Sequence, residues 1–179
     1  MNKKINKYRE MKITETKVFF WAGPLSNWVK VKDGILIPAE LSIDGNEFRL
    51  PTSEHIFMYL KATLFRDREM AEKIIEAPSP RIAKSYGRKV RGFQEDIWRK
   101  HREEAMMTAV RLRFDSDPKF REYLCQDRFK GKEFVEANPY DYVWSCGYLE
   151  DDPRCESPEI WPGLNLLGKI LTKIRDNHE

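Results

Sequence analysis

The segment at residues 51–62 (PTSEHIFMYLKA) constrains the fold of this chain more than any other. Its proline ends an extended segment, and the hydroxyl of Thr52 or Ser53 can cap the first amides of a helix. Glu54 and Lys61 are seven residues apart, about two helical turns, so both side chains project from one face of that helix. Most of the surrounding side chains are apolar. We therefore expect this face to be half-buried.

A carboxylate and an amine on a half-buried face shift each other's pKa values, which suits them to acid–base or Schiff-base chemistry. A structural interpretation is also open at this point. Glu54 is then a helix-start acid stabilised by the helix dipole, and Lys61 is an unrelated surface lysine. The segment by itself does not decide between the two.

The length and composition of the chain predict one globular domain. It has 179 residues, of which 41% are hydrophobic and 34% charged, and this is enough for a proper core. We find no apolar run long enough for a membrane span and no signal-peptide pattern, so we expect a cytoplasmic protein. A net charge of +3 allows an anionic substrate without demanding a nucleic-acid partner. Three cysteines without CxxC spacing argue against a disulfide framework and, unless the fold gathers them, against a zinc site.

The local patterns predict several helices and a few strands. A basic tail at residues 1–12 is expected to precede a domain at 13–179. Strands are expected at 17–21, 35–43, 47–50 and 133–137, the second and third joined as a hairpin at Asp44-Gly45. Helices are expected at 53–70, 69–76, from Ser79-Pro80 onwards, and at 93–114, 118–126 and 165–177. The buried stripe of the longest helix is predicted to contain Ile97, Trp98, Ala105, Ala109 and Leu112.

Three further regions contain candidate functional residues. Residues 81–103 carry eight lysines and arginines among aromatic side chains, which suits either phosphate binding or a solvated face. Asp141 follows a turn after the last predicted strand and lies near Trp144, and loops beyond strand ends are frequent site positions. Asn27 belongs to a loop that either lines a pocket or makes a plain turn.

Taken in order, five short motifs resemble the NADAR superfamily of YbiA-like proteins. Each motif is weak alone, but together they follow the family's order over residues 20–175. They are Gly23-Pro24-Leu25-Ser26-Asn27; Ser53-Glu54-His55 with Met58 and Lys61-Ala62; Ala83-Lys84 with Gly87-Arg88-Lys89-Val90 and Trp98; Phe134-Val135-Glu136-Ala137 with Asp141 and Trp144; and Trp161 with Gly163, Asn165, Leu167-Gly168 and Leu171.

The resemblance implies a single compact, mainly helical α+β domain that hydrolyses N-glycosidic bonds. Nothing in the sequence requires a cofactor or a metal, so we expect none. Its implied substrates are ribosylamino-pyrimidine phosphates of early riboflavin synthesis or ADP-ribose attached to guanine. Lys61 is then the amine that captures ribose C1 as a Schiff base, Glu54 the proton shuttle, and Asp141 the residue that orients ribose hydroxyls or water. The implied substrate-binding residues are Lys84 and Arg88 for phosphate, Trp98 for stacking on base or sugar, and Asn27, Trp144 and Asn165. His55 and His101 are expected to be structural.

Two features depart from the family pattern. The glycine expected after Trp144 is Ser145, and an acidic, proline-rich segment at residues 149–162 follows that turn. Both can reshape the pocket. They leave open a non-catalytic sensor that binds ADP-ribose or NAD, and the basic residues leave open a nucleic-acid-binding protein.

Overall fold

The structure is a computed structural model that describes residues 11–178. Within this part of the chain helices predominate and the strands are short, so the expected mainly helical α+β class is confirmed. The helices are α1 (Ser53–Leu64), α2 (Arg68–Ile75), α3 (Pro80–Gly87), α4 (Glu95–Ser116), α5 (Pro118–Leu124) and α6 (Leu166–Asp176). The strands are β1 (Lys12–Ile13), β2 (Lys17–Phe20), β3 (Ile35–Ile37), β4 (Phe48–Leu50) and β5 (Glu133–Glu136).

The described residues group into two units. Residues 11–26 together with 122–178 form one, here called the mixed unit, and Asn27–Arg121 form the other, the helical unit. Residues 1–10 of the predicted basic tail lie outside the described part of the chain, whereas Lys12 is the first residue of β1. No helix within residues 11–178 has the length and apolar composition that crossing a membrane requires.

The mixed unit is built on a three-stranded sheet with α6 packed against it. β2 is central, antiparallel to β1 and parallel to β5. The predicted strands in the KVFF and EFVE segments are both present, and the register pairs Val18 with Phe134 and Phe19 with Val135. These four side chains are fully buried. The parallel pair joins residues far apart in sequence, which is a tertiary event that no local pattern specifies.

The helical unit begins with the predicted hairpin, but its first strand is shorter than expected. β3 and β4 pair antiparallel, with Ile35 opposite Leu50. The prediction that the first strand extends to residue 43 is wrong. Pro38 ends it, since proline has no N–H to donate to a ladder, and a single 3-10 turn at Ala39–Leu41 follows.

The helix starts in the helical unit agree with the capping signals in the sequence, whereas the end of α1 differs from its predicted position. Thr52 accepts a hydrogen bond from the His55 N–H at the start of α1, and Ser79 accepts one from Ile82 N–H at the start of α3. The expected continuation of α1 to residue 70 is wrong. The chain turns at Arg66, with φ of 56°, and the Asp67 side chain then caps α2.

The buried face of α4 also differs from the predicted stripe. Trp98 and Ala109 are buried as expected, but Ile97 is on the exposed side. This face also includes Arg113, a basic residue that the apolar pattern excludes from the core. It is buried because its guanidinium lies 3.9 Å from the centroid of the Phe120 ring, a cation–π contact that offsets part of the desolvation cost. His101, which was expected to be a structural residue, is exposed.

Candidate active site

Glu54 occupies the first turn of α1 in the helical unit and is almost completely buried, with 4% of its surface exposed. Its backbone N–H donates to the carbonyl of Asn27 at 3.1 Å. The ammonium of Lys84, on α3, lies 3.9 Å from its Oε1. Glu54 is therefore a helix-start acid that is also buried and lies beside a cation.

Lys61 lies two turns further along α1 and is half-buried among aromatic rings. Its Nζ is 4.1 Å from the centroid of the Phe93 ring and 5.4 Å from that of Trp98. Burial lowers the pKa of the Lys61 amine below its ordinary value, and the charge of Glu95 opposes this only in part. A larger share of this amine is consequently neutral near pH 7 than for an exposed lysine.

Helix α3 approaches α1 closely between these two residues. Met58 lies on α1 between Glu54 and Lys61, and a Cβ atom at Gly87 would lie 2.0 Å from the Met58 Sδ. Only glycine permits this approach. The close packing explains how α3 brings Lys84 beside Glu54, although the two are thirty residues apart in sequence.

The side chains of Lys84 and Asn27, which the sequence predicts to contact substrate, contact other groups of the protein. Besides Glu54, the Lys84 ammonium lies 6.0 Å from the centroid of the exposed Trp28 ring. The Asn27 side chain is buried and donates to the Met106 Sδ at 3.1 Å. With its carbonyl bonded to the first turn of α1, Asn27 holds the helix start that carries Glu54.

The aromatic cover of Lys61 includes a residue that sequence analysis did not select. Trp98 was expected to stack on substrate, but it is buried, and its ring centroid is 5.1 Å from that of Phe57. Phe93 is the more exposed ring at 39% and the one nearer to the Lys61 Nζ. The only signal for Phe93 was its place among the basic residues of 81–103. Arg88 follows α3 as its C-cap and is exposed, so its guanidinium is accessible to an anionic group.

His55 is a structural residue, as expected. It is fully buried, with Nδ1 2.7 Å from the Thr52 hydroxyl and Nε2 3.1 Å from the Ala77 carbonyl. The carbonyl can only accept, so Nε2 carries the proton and Nδ1 accepts from Thr52. Burial also lowers the pKa of this imidazole. A neutral ring that uses both nitrogens links α1 to the segment that follows α2.

Asp141 and Trp144 belong to a tight turn in the mixed unit. Oδ1 of Asp141 accepts from the backbone N–H groups of Val143 and Trp144, at 3.0 and 2.9 Å. Ser145, the departure from the family pattern, is fully buried and has its hydroxyl 2.5 Å from the carbonyl oxygens of both Asn138 and Asp141. The buried serine hydroxyl therefore stabilises the turn by hydrogen bonding to its backbone.

The side chain of Asn165 forms hydrogen bonds with the backbone of β5, an edge strand of the sheet in the mixed unit. Its Nδ2 donates to the Phe134 carbonyl and its Oδ1 accepts from the Glu136 N–H, each at 3.0 Å. Its φ of 50° is left-handed, a conformation that asparagine tolerates better than most residues. Asn165 also lines a cavity of about 740 Å³ with Trp161, Lys169 and Lys173. Among the predicted site residues, all of which the structure describes, it is the only one that lines this cavity.

These features define a mainly helical α+β protein with a buried glutamate and a half-buried, aromatic-covered lysine on one helix. The sequence profile of the NADAR domain matches residues 19–178. The chain therefore belongs to the NADAR family.

Relatives and a solved structure agree with this assignment. The chain is 35% identical over 138 residues to an N-glycosidase of Acanthamoeba polyphaga mimivirus, covering 76% of this chain and 80% of that protein. It is 35% identical over 126 residues to protein irg-1 of Caenorhabditis elegans, covering 69% and 58% of the two chains. It is 27% identical over 136 residues to the N-glycosidase YbiA of Escherichia coli, covering 76% and 74%.

The fold comparison gives the same result. The NMR structure of the Escherichia coli protein YbiA superposes with a TM-score of 0.65 at 25% identity, covering 93% of this chain and 87% of that one. The expected enzyme class, a hydrolase of N-glycosyl bonds, is thereby confirmed at the level of the family.

Proposed function

We propose that the protein is an N-glycosidase that cleaves the bond between ribose C1 and the nitrogen of a base, with Lys61 as nucleophile. Its proposed substrates are a ribosylamino-pyrimidine phosphate or ADP-ribose attached to guanine. The support is the family assignment together with relatives that are themselves named N-glycosidases.

The observation that carries the proposal is the environment of Lys61. A Schiff base requires a neutral amine, because an ammonium has no lone pair to donate. Burial among Phe93 and Trp98 lowers the pKa of this amine, and the adjacent rings offer flat apolar surfaces against which a sugar or base can pack.

The proposed reaction adds one water across the C–N bond. Lys61 Nζ bonds to C1 as the bond to the base breaks, and the base leaves with the bonding electron pair and one proton from Glu54. The bond between C1 and the ring oxygen then breaks, the ring oxygen takes one of the two protons on Nζ, and C1 and Nζ form the C=N bond of a protonated Schiff base. Water then adds to C1, the C1–Nζ bond breaks, and the sugar leaves while Glu54 regains its proton.

Glu54 and Lys84 supply the acid–base part of this scheme. A buried carboxyl group can donate a proton to a departing base and later accept one from water. The Lys84 ammonium at 3.9 Å stabilises the carboxylate that remains after donation. We therefore assign Lys84 to positioning and charge balance at Glu54, in place of the phosphate contact expected from sequence.

The other predicted residues keep roles that variants can test separately. Arg88 is proposed to bind substrate phosphate, since it is exposed and its fork matches phosphate oxygens. Asp141 is proposed to orient ribose hydroxyls or water, and Trp144 to contact the substrate. Asn27 and Asn165 are proposed to act by positioning, because their side-chain amides already bond within the protein.

The deciding experiment is product analysis by mass spectrometry. The protein is incubated with an oligonucleotide that carries ADP-ribosylated guanine and, separately, with a ribosylamino-pyrimidine phosphate. Release of the unmodified guanine strand or of the free pyrimidine is expected with wild type and with Lys73→Ala, an exposed α2 control paired with Glu69. Lys61→Ala should abolish release, and Glu54→Gln should slow the chemical step by about 10²–10⁴.

Trapping with sodium borohydride tests the intermediate itself. A reduced sugar adduct should appear on the peptide that contains Lys61 and be absent from Lys61→Ala. Turnover near the wild-type rate in Lys61→Ala would rule out the Schiff base. If neither substrate is cleaved while calorimetry detects ADP-ribose binding, the protein is a sensor and not an enzyme.

A further inference from the structure

Two of the three cysteines meet in the core of the mixed unit. Cys146 and Cys155 are both fully buried, and their Sγ atoms are 3.4 Å apart. They pack with Phe19, Val135 and Ala137. The sequence offered no CxxC motif, so the fold creates this pair by folding residues 147–154 back on themselves.

The backbone N–H and carbonyl of each cysteine are both hydrogen-bonded. The Cys146 N–H donates to the Glu136 carbonyl at 2.9 Å, and its own carbonyl accepts from Gly163 N–H at 3.1 Å. Cys155 N–H donates to Asp152 at 2.9 Å, while its carbonyl accepts from the Trp161 indole at 2.9 Å. Each sulfur is thus held facing the other at the two ends of the segment at residues 147–154.

A disulfide requires little further movement. Its S–S bond is about 2.05 Å long, so the sulfur atoms must approach by about 1.35 Å from their separation of 3.4 Å. The hydrogen bond between the sulfurs favours a proton on Cys155 and lowers the pKa of the Cys146 thiol, while it raises the pKa of Cys155. The thiolate is the form that reacts with oxidants.

We propose that Cys146 and Cys155 are a redox modification site, which a peroxide converts into a reversible intramolecular disulfide that closes residues 147–154 into a loop. The Cys146 thiolate attacks one peroxide oxygen, the O–O bond breaks, and sulfenic acid and hydroxide form. The Cys155 sulfur then displaces the sulfenic oxygen. In total, two thiols and one hydrogen peroxide give one disulfide and two waters, each sulfur losing one electron.

Burial of both sulfurs sets a condition on this reaction. Peroxide reaches Cys146 only when the segment between the cysteines moves outward. That segment includes exposed residues such as Asp151 and Arg154 and carries no α-helix or strand, only part of a short 3-10 turn at Pro153–Glu156. We therefore expect slow oxidation compared with an exposed thiol, followed by rapid closure because the second sulfur is already adjacent.

The full-length Cys125→Ser variant provides a clean test, since it retains only the two cysteines of interest. It is reduced, desalted, exposed to hydrogen peroxide, alkylated under denaturing conditions and digested with trypsin. Cleavage after Arg154 separates the cysteines, so the disulfide is detected as peptides 133–154 and 155–169 linked to each other. We expect this linked pair, together with loss of both alkylation sites and their recovery on treatment with dithiothreitol.

Controls separate the proposal from non-specific oxidation. Adding Cys155→Ser should leave Cys146 without a partner, so peroxide should convert it to sulfinic acid and give no linked peptides. The proposal is overturned if both cysteines of Cys125→Ser remain alkylatable after peroxide. It is also overturned if linked peptides form only in urea-unfolded protein, because the folded geometry would then contribute nothing. Neither outcome depends on N-glycosidase activity.

Discussion

Asp67 provides the most quantitative prediction, because its carboxylate joins the start of α2 to the segment that follows α3. It caps α2 by accepting from Met70 N–H at 3.2 Å. It also accepts from the Arg91 backbone N–H at 2.7 Å and from the Arg91 Nη2 at 2.6 Å. The carboxylate side chain is only 1% exposed, whereas Arg91 is 66% exposed. Arg91 precedes Phe93 by two residues, so this contact also helps position the ring beside Lys61.

These hydrogen bonds from Arg91, with those from the backbone, lower the pKa of Asp67 from 3.8 to about 2. A difference of this size corresponds to about 2 kcal/mol of stability at neutral pH. Water around the exposed guanidinium reduces the electrostatic part to about 1–2 kcal/mol. In Asp67→Asn the amide NH₂ group faces N–H donors, from which it cannot accept hydrogen bonds. We therefore expect the free energy of unfolding to fall by about 2–3 kcal/mol in total, or Tm to fall by roughly 5–10 °C for a chain of this length.

The pH dependence has a defined sign. Because the folded pKa is lowered, the contribution is fully present above the ordinary value of 3.8 and is lost as pH falls towards about 2. The contribution of the Asp67 carboxylate is measured as the difference in free energy of unfolding between wild type and Asp67→Asn, by urea unfolding at several pH values between 7 and 3. Glu72→Gln is the matched control, since Glu72 pairs with Arg68 at 3.0 Å in an exposed position and should change stability by less than about 0.5 kcal/mol.

Two results would refute this reasoning. The first is equal stability of wild type and Asp67→Asn at pH 7. The second is a difference that stays the same at pH 3, because it would then arise from packing and not from charge. A double-mutant cycle with Arg91→Met should show positive coupling between the two side chains.

Three further predictions concern the residues around α1. Phe93→Ala exposes Lys61 to water, so the pKa of the Lys61 amine should rise towards its ordinary value. The increase in kcat/KM that accompanies deprotonation of this amine should then occur at higher pH. An unchanged pH profile would exclude Phe93 from this role. Gly87→Ala places a methyl group against Met58 and should destabilise the fold by about 1–3 kcal/mol in thermal unfolding, whereas an unchanged Tm would contradict the close packing. Arg88→Ala should raise KM for a phosphorylated substrate with little change in kcat, and equal affinity measured by calorimetry would remove Arg88 from the site.

Most of the secondary structure was predictable because its signals are local. The hydroxyl cap at Thr52 and the Ser79-Pro80 pair both mark real helix starts. One error, on the buried face of α4, arose where a contact with the next helix overrides the local pattern. Arg113 enters the buried face of α4 because Phe120 lies beneath its guanidinium, and hydropathy alone assigns an arginine to the surface.

The candidate site was predictable in its residue types but not in its contacts. Glu54 and Lys61 share a helix, so their spacing alone indicated a common face. Lys84 was expected to bind phosphate, yet it lies beside Glu54 because α3 packs on α1 through Gly87. Phe93 had no distinguishing local signal, since its importance depends on its distance from the Lys61 Nζ.

The sequence by itself determined the family, the order of most helices and strands, and the placement of an acid and an amine on one face of α1. These depend on motif order and on interactions within a few residues of each other. Only the tertiary structure decided which side chains surround that amine, which cation accompanies the acid, and which two of the three cysteines meet. Burial and contact between distant segments control pKa values and thiol pairing, and they exist only after the chain has folded.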